Sequence, residues 1–166
     1  MKILLIALIS TIVLYILFLW IVRKVNKANK PAPFHTDLTF EEYNSKWDKY
    51  YGIVADVPVI TTLAEIKDND CQSVIKKMVR EGDQLMLLPD PENEHNKTAI
   101  RVCTKDGWMV GWLPNKEWSE DIFHDLQKGK RWDAFVNDIR QPSKKYNFYN
   151  IFIELWEYEP GKVINV

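Results

Sequence analysis

The glycine-punctuated stretch Arg80–Pro114, in the middle of the chain, constrains the fold more than any other segment. It contains three runs that are short enough for strands: Gln84–Leu88, Thr98–Thr104 and Trp108–Leu113. Between the second and third runs stands Asp106-Gly107, a pair that supplies the positive φ angles of a tight hairpin. Because strands joined by tight hairpins run antiparallel, the stretch predicts a compact antiparallel sheet.

A polar loop joins the first two of these strands. It begins at Asp90-Pro91, where a carboxylate that can bond local amides precedes a residue of fixed φ. Turns use Asp and Asn for their own backbone, so a structural role is the more economical interpretation of Asp90 and Asn93. The turn alone demands neither His95 nor Asn96, and these two residues remain candidates for binding.

The remaining elements follow from hydrophobic periodicity and from turn signals. A capping box, Thr39 with Glu42, starts a helix that carries an aromatic stripe towards Gly52. The other predicted elements are strands over Val57–Leu63, Arg131–Ile139 and Asn147–Trp156, and helices over Asp70–Val79 and from Asn115 or Ser119 to Lys128. Apolar residues fall on both faces of the central strands, which favours a small curled barrel with helices outside it.

The central pattern resembles the HIRAN domain, a small β-rich module found beside Swi/Snf-type helicases and alone in bacteria. The motifs that carry the resemblance are Arg80-Glu81-Gly82-Asp83, Leu85 with Leu87, Asp90-Pro91-x-Asn93, Ala99-Ile100-x-Val102, Asp106-Gly107 and Gly111-x-Leu113-Pro114. The resemblance is strong over about a fifth of the chain and looser from Val57 to Tyr158. It implies an α+β fold: a mostly antiparallel small β-barrel, related to the OB-fold, with two or three short flanking helices.

The resemblance also implies a function, because the studied family members read single-stranded DNA ends and grip a free 3′-hydroxyl. Such a site needs aromatic faces for bases, cations for phosphates and polar groups for the terminal hydroxyl. Where the family places a pocket aromatic followed by an acidic residue, this chain has His95 and Asn96. The full set of candidate nucleic-acid-binding residues is His95, Asn96, Lys97, Lys116, Lys144, Lys145, Tyr146 and Phe148, with Lys144 and Lys145 as phosphate contacts.

The N-terminal stretch Ile3–Val22 has twenty residues without charge, Pro or Gly. As a helix it would span roughly 30 Å, the thickness of a hydrocarbon core. It ends in Trp20–Lys24 rather than in the small residues of a signal-peptide cleavage site, so we predict a retained transmembrane helix in the lipid bilayer. Four basic residues after the helix place the C-terminal part in the cytoplasm by the positive-inside tendency.

The predicted organisation is therefore an anchor over residues 1–25, a linker over 26–38, an amphipathic helix over 39–52 and a HIRAN-like β-barrel domain over 53–160. All 23 acidic residues lie after residue 30, so the part from Pro31 onward carries a net charge of −6. Such an acidic domain is not a general DNA-coating protein, because non-specific binding depends on phosphate neutralisation. Any binding of nucleic acid would need a local basic patch.

Nothing in the sequence indicates catalysis. There is no phosphate-binding loop and no GxGxxG motif, and a cysteine on a strand, such as Cys103, usually packs without reacting. The two cysteines and three scattered histidines predict neither a disulfide framework nor a metal site, and we expect no cofactor. The alternative to nucleic-acid binding is a membrane-tethered module that binds an unknown protein partner and no nucleic acid.

Overall fold

The computed structural model describes residues 13–22, 34–46 and 57–158. The chain divides into two units, Met1–Ala32 and Pro33–Val166. In the first unit, residues 13–22 form helix α1, and its apolar side chains from Val13 to Ile21 are exposed. None of the helices in the described ranges has both the length and the apolar character needed to cross a membrane. Residues 3–12 of the predicted anchor and residues 26–33 of the predicted linker lie outside the described residues.

The second unit is built on one antiparallel sheet of six strands in the order β1-β6-β5-β2-β3-β4. Beyond the end of β1, Ala64 forms an antiparallel bridge with Trp112 of β4 through two backbone hydrogen bonds of 2.8 and 3.1 Å. This bridge brings opposite edges of the sheet together, so the sheet is a strongly curled half-barrel, as the sequence predicted in outline. The strands are β1 Val59–Thr62, β2 Gln84–Asp90, β3 Ala99–Cys103, β4 Met109–Trp112, β5 Arg131–Arg140 and β6 Asn150–Tyr158.

Three helices accompany the sheet: α2 Phe40–Ser45, α3 Asn69–Met78 and α4 Glu117–Gln127. The predicted capping box is confirmed at α2, where the Thr39 hydroxyl accepts a hydrogen bond from the Glu42 amide and the Glu42 carboxylate accepts one from the Thr39 amide. The described helix ends at Ser45, and residues 47–52 of the longer predicted helix lie outside the described residues.

The caps of the other two helices differ from the prediction. Helix α3 is capped by Asp68 rather than Asp70, because the Asp68 carboxylate accepts the Asp70 amide at 2.8 Å. Helix α4 begins at Glu117, and Ser119 lies buried in its first turn, where its hydroxyl accepts the Lys116 amide at 3.0 Å. The cap of α3 lies two residues before the predicted start at Asp70, and the cap of α4 is Lys116, one residue after Asn115 and three before Ser119.

The ends of two strands also differ from the prediction. Strand β1 covers only Val59–Thr62 because its pairing with β6 begins and ends there. Strand β6 begins at Asn150 rather than Asn147 and continues to Tyr158, since it pairs with β5 from Arg140↔Asn150 to Arg131↔Tyr158. Of the Asp106-Gly107 pair only Gly107 has a positive φ, of 82°, in a turn closed by a hydrogen bond from its amide to the Thr104 carbonyl.

The core lies between the curled sheet and the helices that cover it. Strand β2 is buried on both faces, as predicted: Leu85, Met86 and Leu87 are each at most 1% exposed. Strands supply half of the other core residues, and every helix of this unit contributes at least one. They include Tyr43, Ile75, Val79, Ile100, Val102, Val110, Ile122, Phe123, Leu126, Ala134, Val136, Ile151, Ile153 and Leu155.

Candidate functional site

The loop between β2 and β3 is held in shape by two asparagine side chains. The Asn93 side-chain oxygen accepts hydrogen bonds from the amides of His95 and Asn96, both at 3.0 Å. The Asn96 side-chain oxygen accepts the amide and the hydroxyl of Thr98 at 3.0 and 2.9 Å. Side chains that replace backbone partners in this way fix a turn. The Asn96 oxygen is therefore committed to the loop itself.

His95 and Lys97 extend from this fixed loop into solvent. Within the described ranges, the His95 ring makes no hydrogen bond, ion pair or ring contact, and the Lys97 ammonium is equally unengaged. The loop is anchored at its base by the Asp90 carboxylate, which bonds the Arg101 guanidinium of β3 at 2.5 Å. The loop thus presents an imidazole and a cation, two residues apart, on a supported backbone.

Four of the other candidate residues lie in the loop between β5 and β6. The rings of Tyr146 and Phe148 meet edge to face with centroids 5.9 Å apart. The Lys145 ammonium lies 5.1 Å from the centre of the Tyr146 ring, and Lys144 is exposed beside it. This loop brings three of the candidates, Lys145, Tyr146 and Phe148, into one cluster. Lys116 is exposed just before α4.

The two loops are rooted at opposite ends of the β2–β5 strand pair. These strands are antiparallel, with Gln84 opposite Phe135, so β2 runs towards Asp90 while β5 runs the other way towards Arg140. The curl of the sheet shortens the path between the two loop roots, because Leu63 bonds Ile151 of β6 and the next residue, Ala64, bonds Trp112 of β4. No hydrogen bond, ion pair or ring contact joins the two groups among the described residues. The candidate residues therefore form two groups.

Sequence reasoning missed a cleft between α3 and the β5–β6 loop, which we call the lysine cleft. It has a volume of about 540 Å³, within the range of ligand pockets. It is lined by Lys67, Gln72, Ser73, Lys76, Lys77, Pro142, Asn147, Phe148 and Tyr149, with no carboxylate among the described lining residues. Only Phe148 belonged to the predicted set. Lys76 and Lys77 lie exposed on α3, and the sequence gave no sign of what that face of the helix opposes.

Two other residues considered from the sequence have structural surroundings. Cys103 is buried, and this burial raises the pKa of its thiol to about 12, so the unreactive thiol remains at neutral pH. The Arg101 guanidinium lies 4.2 Å from the centre of the Phe34 ring and 5.3 Å from that of Trp112, between the two rings. In the described residues, no group of three or more His, Cys, Asp or Glu side chains could hold a metal ion.

Comparison with known proteins agrees with this architecture. The HIRAN domain model matches residues 63–156. A crystal structure of a protein from Lactobacillus plantarum superposes with a TM-score of 0.51 at 17% identity, covering 62% of this chain and 95% of that one. The crystal structure of the HIRAN domain of human HLTF gives a TM-score of 0.45 at 18% identity, covering 62% and 78%. None of the curated proteins matches the chain. Since the family match spans more than half of the sequence and includes four of the six strands whole and most of β6, the chain belongs to the HIRAN domain family.

Proposed function

We propose that this HIRAN domain binds single-stranded DNA and that the β2–β3 loop contacts the 3′ end of the strand. The observation that carries the proposal is the fixed loop that presents His95 and Lys97 to solvent without a partner in the described residues. An imidazole offers a flat face on which a base can stack, and a neighbouring ammonium can contact a phosphate. Membership of the HIRAN family supports this assignment.

The side chain of Asn96 would recognise the strand end by donating a hydrogen bond to it. Its oxygen is used by Thr98, while its amide nitrogen makes no hydrogen bond in the described structure. An amide nitrogen can donate to the oxygen of a terminal hydroxyl. Unlike a carboxylate, the neutral amide does not repel a 3′-phosphate, so we expect this domain to separate 3′-hydroxyl from 3′-phosphate strands only weakly.

Binding is tested by titrating the full chain, in nonionic detergent, with three labelled DNAs of one sequence. The three are a linear strand with a 3′-hydroxyl, the same strand with a 3′-phosphate, and a closed circle. We expect both linear strands to bind more tightly than the circle, because the circle has no end. Equal affinity for the circle would remove end recognition and leave a general strand binder. No binding of any DNA at low salt would favour the protein-interaction alternative.

Substitutions in the loop separate binding from folding. We expect His95→Ala to weaken binding of the linear strand by about fivefold or more, the loss of one stacked base, without changing the unfolding midpoint. His124→Ala, at an exposed histidine of α4, is the matched control and leaves affinity unchanged. Asn96→Asp keeps the acceptor for Thr98 and should fold normally. Its carboxylate, unlike the amide, should repel a strand that ends in a 3′-phosphate. Unchanged affinity in His95→Ala would remove the loop assignment.

We also propose that residues 3–22 anchor the chain in a membrane with the HIRAN domain on the cytoplasmic side. The support is the uncharged sequence Ile3–Val22 and the basic residues that follow it. In cells that express the chain, the protein should remain with membranes after an alkaline carbonate wash. A variant without residues 1–25 should be released. Protection of the domain from protease in sealed inside-out vesicles would contradict the orientation.

A further inference from the structure

We propose that strand β1 pairs with β1 of a second copy of this chain, so that two HIRAN domains share one continuous sheet. The surface is the side of β1 that faces away from β6, which we call the open edge. This contact is separate from DNA binding, because it uses neither the β2–β3 loop nor the lysine cleft. Three observations carry it: unpaired peptide groups, a two-fold register and a stretch of chain without charge.

The peptide groups of β1 alternate between β6 and the open edge. The Leu63 amide donates to the Ile151 carbonyl of β6 at 3.3 Å, so Thr61, two residues earlier, also faces β6 in the same ladder. The peptide groups of Ile60 and Thr62 therefore point away from β6. Across the described ranges no backbone group bonds them, and the Thr62 carbonyl accepts only the Thr61 hydroxyl, at 3.4 Å. Unpaired peptide groups in a row are a template for another strand.

The opposite edge of the sheet, on β4, is covered by the chain itself. The amide of Thr36 and the carbonyl of Phe34 bond the backbone on either side of Trp108, and Ala64 bonds Trp112. A segment outside the family match therefore closes one edge of the sheet. Of the two edge strands, β1 is the one whose outer peptide groups have no backbone partner in the part of the chain that the structure describes.

A second copy of β1 matches the open edge when the two strands run antiparallel about a two-fold axis at Thr61. Ile60 of one copy then lies opposite Thr62 of the other, and the reverse also holds. Both residues direct their peptide groups towards the other strand, so the strands form two hydrogen-bonded pairs with about four hydrogen bonds. Pairing stops at both ends, because Pro58 has no N–H to donate and Ala64 already bonds β4.

The side chains along the open edge fit a contact between identical surfaces. Residues 57–64 carry no charge, although they belong to an acidic part of the chain. Val57 is 74% exposed and Ile60 55%, more than any other large apolar side chain described in the second unit. In a two-fold contact a charge near the axis meets its own copy, and like charges directly opposite each other destabilise a strand pair. The uncharged stretch avoids this repulsion.

Edge protection gives a simpler account of part of this strand. Natural edge strands are often short or begin at a proline, and β1 has four residues after Pro58. Protected edges also tend to carry charged side chains, and β1 has none. Its short length limits the contact to the size of a transient association. The proposed membrane anchor would raise the local concentration of copies, which favours such a weak contact.

Cysteine crosslinking of the full chain, in intact cells that express it, tests the pairing. Thr61→Cys places two thiols opposite each other at the axis, with Cα atoms about 4.5 Å apart, which is within disulfide range. Ile60→Cys is the matched control, because its two copies lie diagonally, about 7–8 Å apart, beyond that range. After mild oxidation we expect several times more dimer from Thr61→Cys, although Ile60 is the more exposed position. The wild-type chain, with Cys71 and Cys103, gives the background.

A mixed crosslink tests the register independently. Copies with Ile60→Cys, expressed together with differently tagged copies with Thr62→Cys, should crosslink to each other more than either crosslinks to itself. The reason is that these two positions face each other about 5.5 Å apart between Cα atoms.

Equal dimer yields from Thr61→Cys and Ile60→Cys would overturn the pairing. Crosslinks from Thr61→Cys to other proteins alone would also overturn it, and would assign the open edge to the strand of a different partner. Reduced Thr61→Cys should bind DNA as the wild-type chain does, so a failed crosslink leaves the proposed function standing. If the wild-type chain binds no DNA, the crosslinks still decide the pairing.

Discussion

At the scale of single residues, the side chains of the β2–β3 loop fall into two groups. One group makes the hydrogen bonds that fix the turn, and the other is exposed to solvent. Asn93 and Asn96 accept four hydrogen bonds within the loop. The side chains of His95 and Lys97 make none of these hydrogen bonds and face solvent. A sequence pattern cannot separate Asn96 from His95, because both residues are polar and adjacent. The structure distinguishes them because the Asn96 side-chain oxygen accepts the Thr98 amide, while the His95 ring makes no such bond in the described residues.

Tyr43 gives a stability prediction at the same scale. Its ring is 2% exposed, and its hydroxyl accepts the Leu87 amide of β2 at 3.1 Å, two residues beyond the end of the β2–β5 pairing at Leu85. Tyr43→Phe would leave this buried amide without its acceptor, at a cost of about 1–3 kcal/mol in the free energy of unfolding. Urea unfolding measures the change, and Tyr146→Phe, at an exposed ring, is the control. Equal midpoints for both variants would contradict the role given to the hydroxyl.

At the scale of elements, the curl of the sheet depends on a close approach at Gly111. A Cβ atom added there would lie 2.8 Å from the Ile66 side chain and 2.9 Å from the Ala64 carbonyl oxygen. The neighbouring Trp112 forms the bridge to Ala64 that brings the sheet edges together. Glycine, which has no side chain, therefore stands at the place where the backbone after β1 crosses β4. In the sequence this glycine was a family motif residue, and the structure gives its physical reason.

We expect Gly111→Ala to destabilise the domain by about 1–3 kcal/mol or more. The added methyl group would push against the Ala64 backbone, which cannot move aside as a flexible side chain can. Gly82→Ala is the comparison. Gly82 has a φ of 84° but no atom within 4 Å of an added Cβ, so that variant pays only the cost of a left-handed backbone, roughly 1–2 kcal/mol. Thermal unfolding of the two variants measures both terms. A smaller loss in Gly111→Ala than in Gly82→Ala would show that the crossing relaxes without strain.

How far the sequence predicts an element depends on whether the signal is local. The capping box of α2, the three central strands and the burial of both faces of β2 were predictable, because each follows from residues within a few positions of one another. The lysine cleft was not predictable in this way. It exists because Gln72 of α3 bonds Tyr149, 77 residues further along the chain, and that pairing depends on the register between β5 and β6.

At the scale of the whole molecule, net charge and local charge point in different directions. The part of the chain from Pro31 onward has a charge of −6, which opposes non-specific binding to nucleic acid. Several cations are cancelled by carboxylate neighbours, as in the pairs of Arg131 with Asp133 and Lys130 with Asp125. Other lysines of the described residues have no carboxylate within 4.0 Å, and they include Lys97 in the β2–β3 loop and Lys76 in the cleft. A general repulsion combined with local unpaired cations favours binding at particular places on the surface over coating of the whole domain.

Stability of the folded domain should fall as the pH rises above about 9. Burial raises the pKa of the Cys103 thiol from its ordinary value of 9.0 to about 12, so the folded state keeps a proton that the unfolded chain releases. A raised folded-state pKa gives stability that is complete below pH 9 and is lost between pH 9 and 12. For one thiol the loss between pH 9 and 10 is about 1 kcal/mol.

Burial also raises the pKa of the Tyr43 hydroxyl, which extends the same trend to higher pH. The measurement is urea unfolding at a series of pH values, with wild type compared with Cys103→Ala. The variant loses packing at every pH, since Cys103 is fully buried, but it should lose less stability than wild type between pH 9 and 10. Parallel stability curves for the two proteins would mean that the Cys103 thiol ionises equally in the folded and unfolded chains. The thiol would then be open to solvent, and the packing of β3 against the helices would be looser than described.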